Sequence, residues 1–177
     1  MARNALVTGP PRSGKTTALE RTVSLLREHD YAVGGIFCPE LRADGERVGF
    51  EIVDLERGDR EVMAHAEFDA GPSVGNYRVD VSAVDRIAGR ALPRAVDGAD
   101  CVVIDEIAPM ELESERFVRE TRRALDAPVP VLAAITYRSR DGFLGEVKSR
   151  ADVERFEVTP ERRDDLPEEL LEWVHTH

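Results

Sequence analysis

Near the amino terminus the segment Gly9-Pro10-Pro11-Arg12-Ser13-Gly14-Lys15-Thr16 separates a short apolar run, Asn4–Thr8, from Thr16–Glu28, where Ala18, Leu19, Val23, Leu25 and Leu26 fall at helical spacing. The segment satisfies G-x-x-x-x-G-K-[ST], and strand, loop and helix in that order are the setting in which the pattern cradles phosphate. Gly9 and Gly14 let the backbone curl closely around an anion, while successive amides and the helix N-terminus supply fixed partial positive charge. Lys15 brings a point charge to the β and γ phosphates, the Thr16 hydroxyl is placed for Mg²⁺, and Thr17 is placed for the α phosphate. A chance glycine turn before a helix would not satisfy four constrained positions in that setting.

A strand feeding a helix through such a loop belongs to an α/β architecture, and the remaining pattern agrees. Cys101–Ile104 and Val129–Thr136 are continuous apolar runs, as strands buried on both faces of a parallel sheet should be. Between them Ser114–Leu125 reads as a covering helix with Ser114 as its N-cap. From Ala32 to Ala64 short β-like runs are separated by the turn candidates Ala43-Asp44-Gly45 and Arg57-Gly58-Asp59, which predicts an inserted hairpin or meander. Asp69–Val81 is irregular, Asp80–Leu92 returns to helical periodicity, and Tyr137–Arg150 reads as a polar loop bearing arginines. Val153–Val158 is a further strand candidate and Leu166–His175 a closing amphipathic helix. The expected fold is a P-loop NTPase α/β fold, a mostly parallel sheet sandwiched by helices, with ligand at the carboxyl ends of the strands. At 177 residues and 42% hydrophobic the chain supports one sizeable core, and residues 1–177 are expected to form a single domain.

The run Val102-Val103-Ile104 ends in paired acids, Asp105 and Glu106. Asp105 is placed to hold Mg²⁺ through water, and Glu106 to polarise a water in line with the γ phosphate. In so acidic a chain a strand ending in exposed acids is unremarkable by itself, and it is the phosphate loop that gives these two a role. Arg138, Arg140 and Arg150, on either side of Phe143, are candidates to close over the phosphates. With 22 arginines in the chain, solvated surface is the competing reading for each.

The net charge of −11 disfavours a nucleic-acid binder, whose affinity rests on clustered Lys and Arg. Only Lys15 and Lys148 are lysines, and Asp plus Glu total 35, a bias resembling halophile proteins that stay soluble in concentrated salt. Cys38 and Cys101 match neither a CxxC nor a Cys/His metal spacing, and no His spacing marks a metal site. The opening MARNALVTG carries no signal-like apolar run and no segment approaches membrane-spanning length, so a cytoplasmic protein with no membrane partner is expected.

With these residues in place, the sequence resembles the THEP1-type nucleoside-triphosphatases over nearly its whole length. The landmarks beyond the phosphate loop are Gly34-Gly35-Ile36-Phe37, Glu40-Leu41-Arg42, Arg47-Val48-Gly49-Phe50, and Val74-Gly75-Asn76-Tyr77 leading to Val79-Asp80-Val81. Val103-Ile104-Asp105-Glu106-Ile107 with Met110-Glu111-Leu112 follow, then Val158-Thr159-Pro160-Glu161-Arg162-Arg163-Asp164 with Leu166-Pro167. The resemblance implies Mg²⁺-dependent hydrolysis of ATP, GTP, CTP, UTP and similar nucleotides to diphosphate and phosphate. Two departures stand out: Ala108-Pro109 replaces the family's usual Gly-Lys, and Arg162 replaces a usual Asn. The first removes a cation near the acids, and Pro109 deletes a backbone donor.

A nucleotide or nucleoside kinase would share the loop, the metal carboxylate and the arginines, but would pass the γ phosphate to a second substrate. A nucleotide-binding adaptor with slow hydrolysis is the alternative from another class. Neither lysine lies in an Asn-Lys-x-Asp segment, which argues against a guanine-specific switch.

Overall fold

A computed structural model describes residues 2–177, and Met1 lies outside the described residues. The parallel half of the sheet runs in the order β10 (Val153–Glu157), β1 (Asn4–Thr8), β9 (Val131–Ile135), β8 (Cys101–Ile107) and β2 (Val33–Phe37). Every neighbouring pair in that half is parallel. The sheet then continues antiparallel through β4 (Glu46–Asp54), β5 (Arg60–His65), β7 (Tyr77–Val79) and β6 (Ser73–Val74), with β3 (Glu40–Ala43) pairing β4 to complete ten strands.

Alternation along the strands divides the core into two layers. Ala5, Val7, Cys101, Val103, Leu132 and Ala134 face α1 (Lys15–Glu28) and α5 (Leu166–Thr176). Leu6, Val102, Ile104, Val131 and Ala133 face the other way, toward α2 (Val81–Gly98), α3 (Glu115–Asp126) and α4 (Gly142–Lys148). Both faces of these strands are covered, which is why their sequences read as unbroken apolar runs rather than alternating ones. These features are those of the expected sandwiched α/β fold.

Several elements depart from the sequence reading. The stretch from Ala32 to Ala64 is not all inserted meander: β2 pairs in parallel with β8 and belongs to the central sheet, and only β3, β4 and β5 form the antiparallel extension. The irregular Asp69–Val81 stretch contains the β6–β7 hairpin, and the Tyr137–Arg150 loop contains α4. Helix α2 starts from Asp80, whose side chain accepts from the Ala83 amide, and runs six residues beyond Leu92, straight through Pro93. A proline there leaves the carbonyl one turn back without its amide donor. Arg116 of α3 supplies the replacement, its Nη2 donating to the Gly89 carbonyl at 3.2 Å. Ser114 caps α3 as expected, accepting from the Phe117 amide at 3.0 Å. Both cysteines are free.

Candidate active site

The carboxyl ends of β1, β8 and β9 converge on one cleft of about 1150 Å³. Thr8 ends β1, and Pro10 to Thr17 form one wall. Within the loop the Ser13 amide donates to the Pro10 carbonyl at 3.1 Å, closing a tight turn. Gly14 follows at φ 101°, a left-handed conformation that side-chain-bearing residues rarely adopt, and α1 starts immediately after it. The N-cap is a glycine, so no capping side chain takes up the amides of the first turn of α1. Amides at the start of a helix lack intrahelical acceptors and carry the positive end of its dipole, so this turn offers itself to an anion.

Facing the loop, Asp105 and Glu106 leave the end of β8. Lys15 Nζ sits 3.2 Å from Glu106 Oε2, both groups being partly open to the cleft. Asp105 is only 3% exposed, and its carboxyl is pushed up to about 7, chiefly by burial and then by the charge of Glu106, against the pull of a hydrogen bond from Thr16 and the charge of Lys15. A hydroxyl and a buried carboxylate in contact, in a site that already repels a second negative charge, suit a hard divalent cation with oxygen ligands. Among the described residues no cluster of three or more His, Cys, Asp or Glu could cage a metal alone. A cation held by Thr16 and Asp105 would therefore complete its shell with phosphate oxygens and water, as Mg²⁺ commonly does.

The candidate arginines separate. Arg138 is exposed and lines the cleft, its guanidinium 5.0 Å from the Tyr137 ring centroid, with no ion pair among the described residues. Arg140 stands beside the loop and does not line the cleft, reaching Ser149 Oγ at 3.5 Å. Arg150 lies at the other end of the sheet, bonded to Asp126, Asp152 and the Leu125 carbonyl, where Asp152 also meets the start of β1. Its sequence position after Phe143 suggested the site, but the unforeseen helix α4 carries the chain back to the amino-terminal edge.

Three residues given no role from sequence border the cleft or its loops. Glu111, in the 3-10 turn Glu111–Glu113, is 4% exposed and raised to about 8, first by burial. Cys38 hydrogen-bonds with it, and burial raises that thiol well above its usual range. Lys148 is buried, and its Nζ donates to the carbonyls of Tyr137 and Ser139. Ala108 and Pro109 line the cleft without charge, which leaves Lys15, Arg12 and Arg138 among the cations near the acids.

A G-x-x-x-x-G-K-T loop between β1 and α1, opposite an Asp-Glu pair near the carboxyl end of β8, which lies beyond β9 in the same parallel sheet, defines a P-loop NTPase. A family model described as NTPase matches residues 4–171, and the chain belongs to that family. It is 45% identical to the nucleoside-triphosphatase THEP1 of Methanopyrus kandleri, over 98% of this chain and 96% of that protein. The identity to the THEP1 of Thermofilum pendens is 44%, over 96% and 93%. The crystal structure of THEP1 from Aquifex aeolicus superposes with a TM-score of 0.85 at 29% identity, covering 97% of this chain and 98% of that one. The solution structure of a human cancer-related nucleoside triphosphatase gives 0.82 at 31% identity, covering 99% and 98%.

Proposed function

We propose that this enzyme is a cytoplasmic, single-domain phosphohydrolase that cleaves ATP, GTP, CTP and UTP to diphosphate and phosphate with Mg²⁺. The observation that carries the reading is the contact between Lys15 and Glu106 beside the Thr16–Asp105 pair. It puts a cation for phosphate, an oxygen pair for metal and a carboxylate for water within one cleft. The two free thiols fit a reducing compartment, and no helix of the described residues is long and apolar enough to cross a membrane.

In this reading the phosphates lie on the amides from Gly9 to Thr17, with Pro10, Pro11, Arg12 and Ser13 forming the rim of the loop. Lys15 exchanges its contact with Glu106 for oxygens of the β and γ phosphates. Glu106 then takes a proton from the attacking water as the water oxygen bonds to the γ phosphorus, and the bond from that phosphorus to the bridging oxygen breaks with its electron pair leaving on the diphosphate. Thr16 and Asp105 would hold the Mg²⁺, which would neutralise charge on the phosphates. Arg138 reaches the γ phosphate from the loop after β9. A carboxylate facing the phosphate side suits the polarising of water, the step that separates hydrolysis from transfer to a second substrate.

Phosphate release from each of the four nucleotides, with and without Mg²⁺ and with no acceptor added, tests the proposal. Release from several nucleotides that requires the metal supports it. Nucleotide binding without release would move the assignment to a kinase or an adaptor.

The same site makes a stability prediction. Asp105 is raised in the folded state, so between its unfolded value near 4 and about 7 the folded state holds the extra proton, and stability falls as pH rises through that window. Asp105→Asn removes the buried charge. At pH 8 without metal this variant is expected to melt higher than the parent by a few degrees, with the gap closing near pH 4. Added Mg²⁺ raises the melting temperature of the parent only. Differential scanning calorimetry at both pH values checks it, and a variant that melts lower at pH 8 would contradict it.

A further inference from the structure

Lys148 is one of only two lysines in a chain that otherwise uses arginine, and it is 6% exposed. An ammonium is compact and points three donors freely, whereas a guanidinium is a wide planar fork, so a small site lined by converging carbonyls suits lysine. Lys148 meets such a site. Its Nζ donates to the Ser139 carbonyl at 2.6 Å and to the Tyr137 carbonyl at 3.1 Å. Both carbonyls belong to the loop that leaves the carboxyl end of β9, and Tyr137, Arg138 and Ser139 all line the phosphate cleft.

Two further contacts hold the same loop. One turn before Lys148 on α4, a Cβ on Gly145 would stand 2.1 Å from the Arg140 carbonyl oxygen, so only glycine lets the loop backbone pack so closely on the helix. The Tyr137 hydroxyl donates to Glu157 Oε1 of β10 at 2.6 Å. The loop is thus fixed at Tyr137, Ser139 and Arg140, and the residue enclosed by these anchors is Arg138. Arg138 itself makes no hydrogen bond to a protein acceptor among the described residues, so its position in the cleft depends on the backbone beneath it.

We infer that Lys148 is a positioning residue for the hydrolytic reaction: through the Tyr137 and Ser139 carbonyls it holds the loop so that Arg138 meets the γ phosphate. This rests on the proposed hydrolysis and adds a residue that touches neither nucleotide nor metal. Arginine at 148 would not reproduce the function, because its fork cannot enter between the two carbonyls, and methionine would fill the space without donating.

The test is a double-mutant cycle on steady-state hydrolysis and on equilibrium binding of nucleoside diphosphate. Lys148→Met and Arg138→Ala are each expected to lower kcat by about 100-fold, the loss that a misplacement of roughly 1 Å can cause. Diphosphate affinity should stay within about threefold, because the γ phosphate is the group addressed and a uniform binding loss would appear in KM instead. The double variant should be no slower than either single, since both remove one contribution. Gly145→Ala, which shifts the loop without touching a charge, should lower kcat in the same way, and Lys148→Arg should fail to restore it. Wild-type turnover in Lys148→Met, or losses that multiply in the double variant, would overturn the inference. A wild-type protein that releases no phosphate would overturn the hydrolase reading instead.

Discussion

Glu106→Gln is expected to bind nucleoside triphosphate at least as tightly as the parent and to lose hydrolysis by about 10²- to 10⁴-fold, the range that a positioned general base contributes. The substitution keeps the shape of the side chain and an oxygen that can still accept from Lys15, so the architecture at the end of β8 should survive. What it loses is the negative charge that orients and partly deprotonates water. The direction of the binding change is itself diagnostic. Glu106 holds Lys15 at 3.2 Å, and an arriving triphosphate must take that lysine from it. A neutral amide competes less well, because it accepts from the ammonium without the Coulomb attraction of a second full charge. Single-turnover hydrolysis and titration with a non-hydrolysable triphosphate measure the two quantities. Turnover within a few-fold of the parent would remove Glu106 from the role of water-orienting carboxylate. Loss of binding along with turnover would make it a structural partner of Lys15.

The parts of the site that lie close together in sequence were the parts legible in it. From Thr8 to Thr17 strand, loop and helix are contiguous, so the composition of one segment determines the backbone conformation that phosphate needs. Asp105 and Glu106 were legible for a related reason: Val102, Val103 and Ile104 are buried on both faces, and the first polar residues after such a strand emerge at its carboxyl end. The arginines illustrate the limit. Position after β9 was informative for Arg138 and misleading for Arg150, because what separates them is α4, and a helix of seven residues containing two glycines has too short a period to register. Lys148 escaped for the same reason. Its partners are carbonyls, which no side-chain pattern records, and the only trace in the sequence is that a chain so poor in lysine keeps one there.

The antiparallel extension was legible in kind and not in extent. Turn residues at Asp44-Gly45 and Gly58-Asp59 announce hairpins, but in sequence β2 is one more of the short β-like runs between Ala32 and Ala64, and nothing local separates it from them. Gly35 is in fact inside the sheet at φ 128°, where a Cβ would stand 1.9 Å from the Val103 carbonyl oxygen of β8. The close approach of two parallel strands, a tertiary fact, is what requires glycine there. Pro93 deceived in the opposite sense. A proline normally ends a helix, whereas α2 continues, and Arg116 from a different helix satisfies the carbonyl that Pro93 strands.

Lys15→Ala is expected to weaken triphosphate binding by about 30- to 1000-fold, or roughly 2–4 kcal/mol, the cost of truncating one member of a close charge pair. Two effects add. The β and γ phosphates lose the point charge that meets them, and Glu106 loses its partner, so a carboxylate remains facing the incoming anion. The second effect separates this variant from a simple loss of contact. Lys15→Ala combined with Glu106→Gln should recover part of the affinity, since the repulsion is gone although the attraction is not restored. Calorimetric titration of the single and double variants with a non-hydrolysable triphosphate and with inorganic pyrophosphate reads both effects. Arginine at 15 should not substitute, because its planar fork is too wide for a position that points between the loop amides and Glu106. If pyrophosphate binding is unchanged in Lys15→Ala, the phosphates do not lie on the Gly9–Thr16 loop, and the cleft must hold its ligand by Arg12 and Arg138 instead.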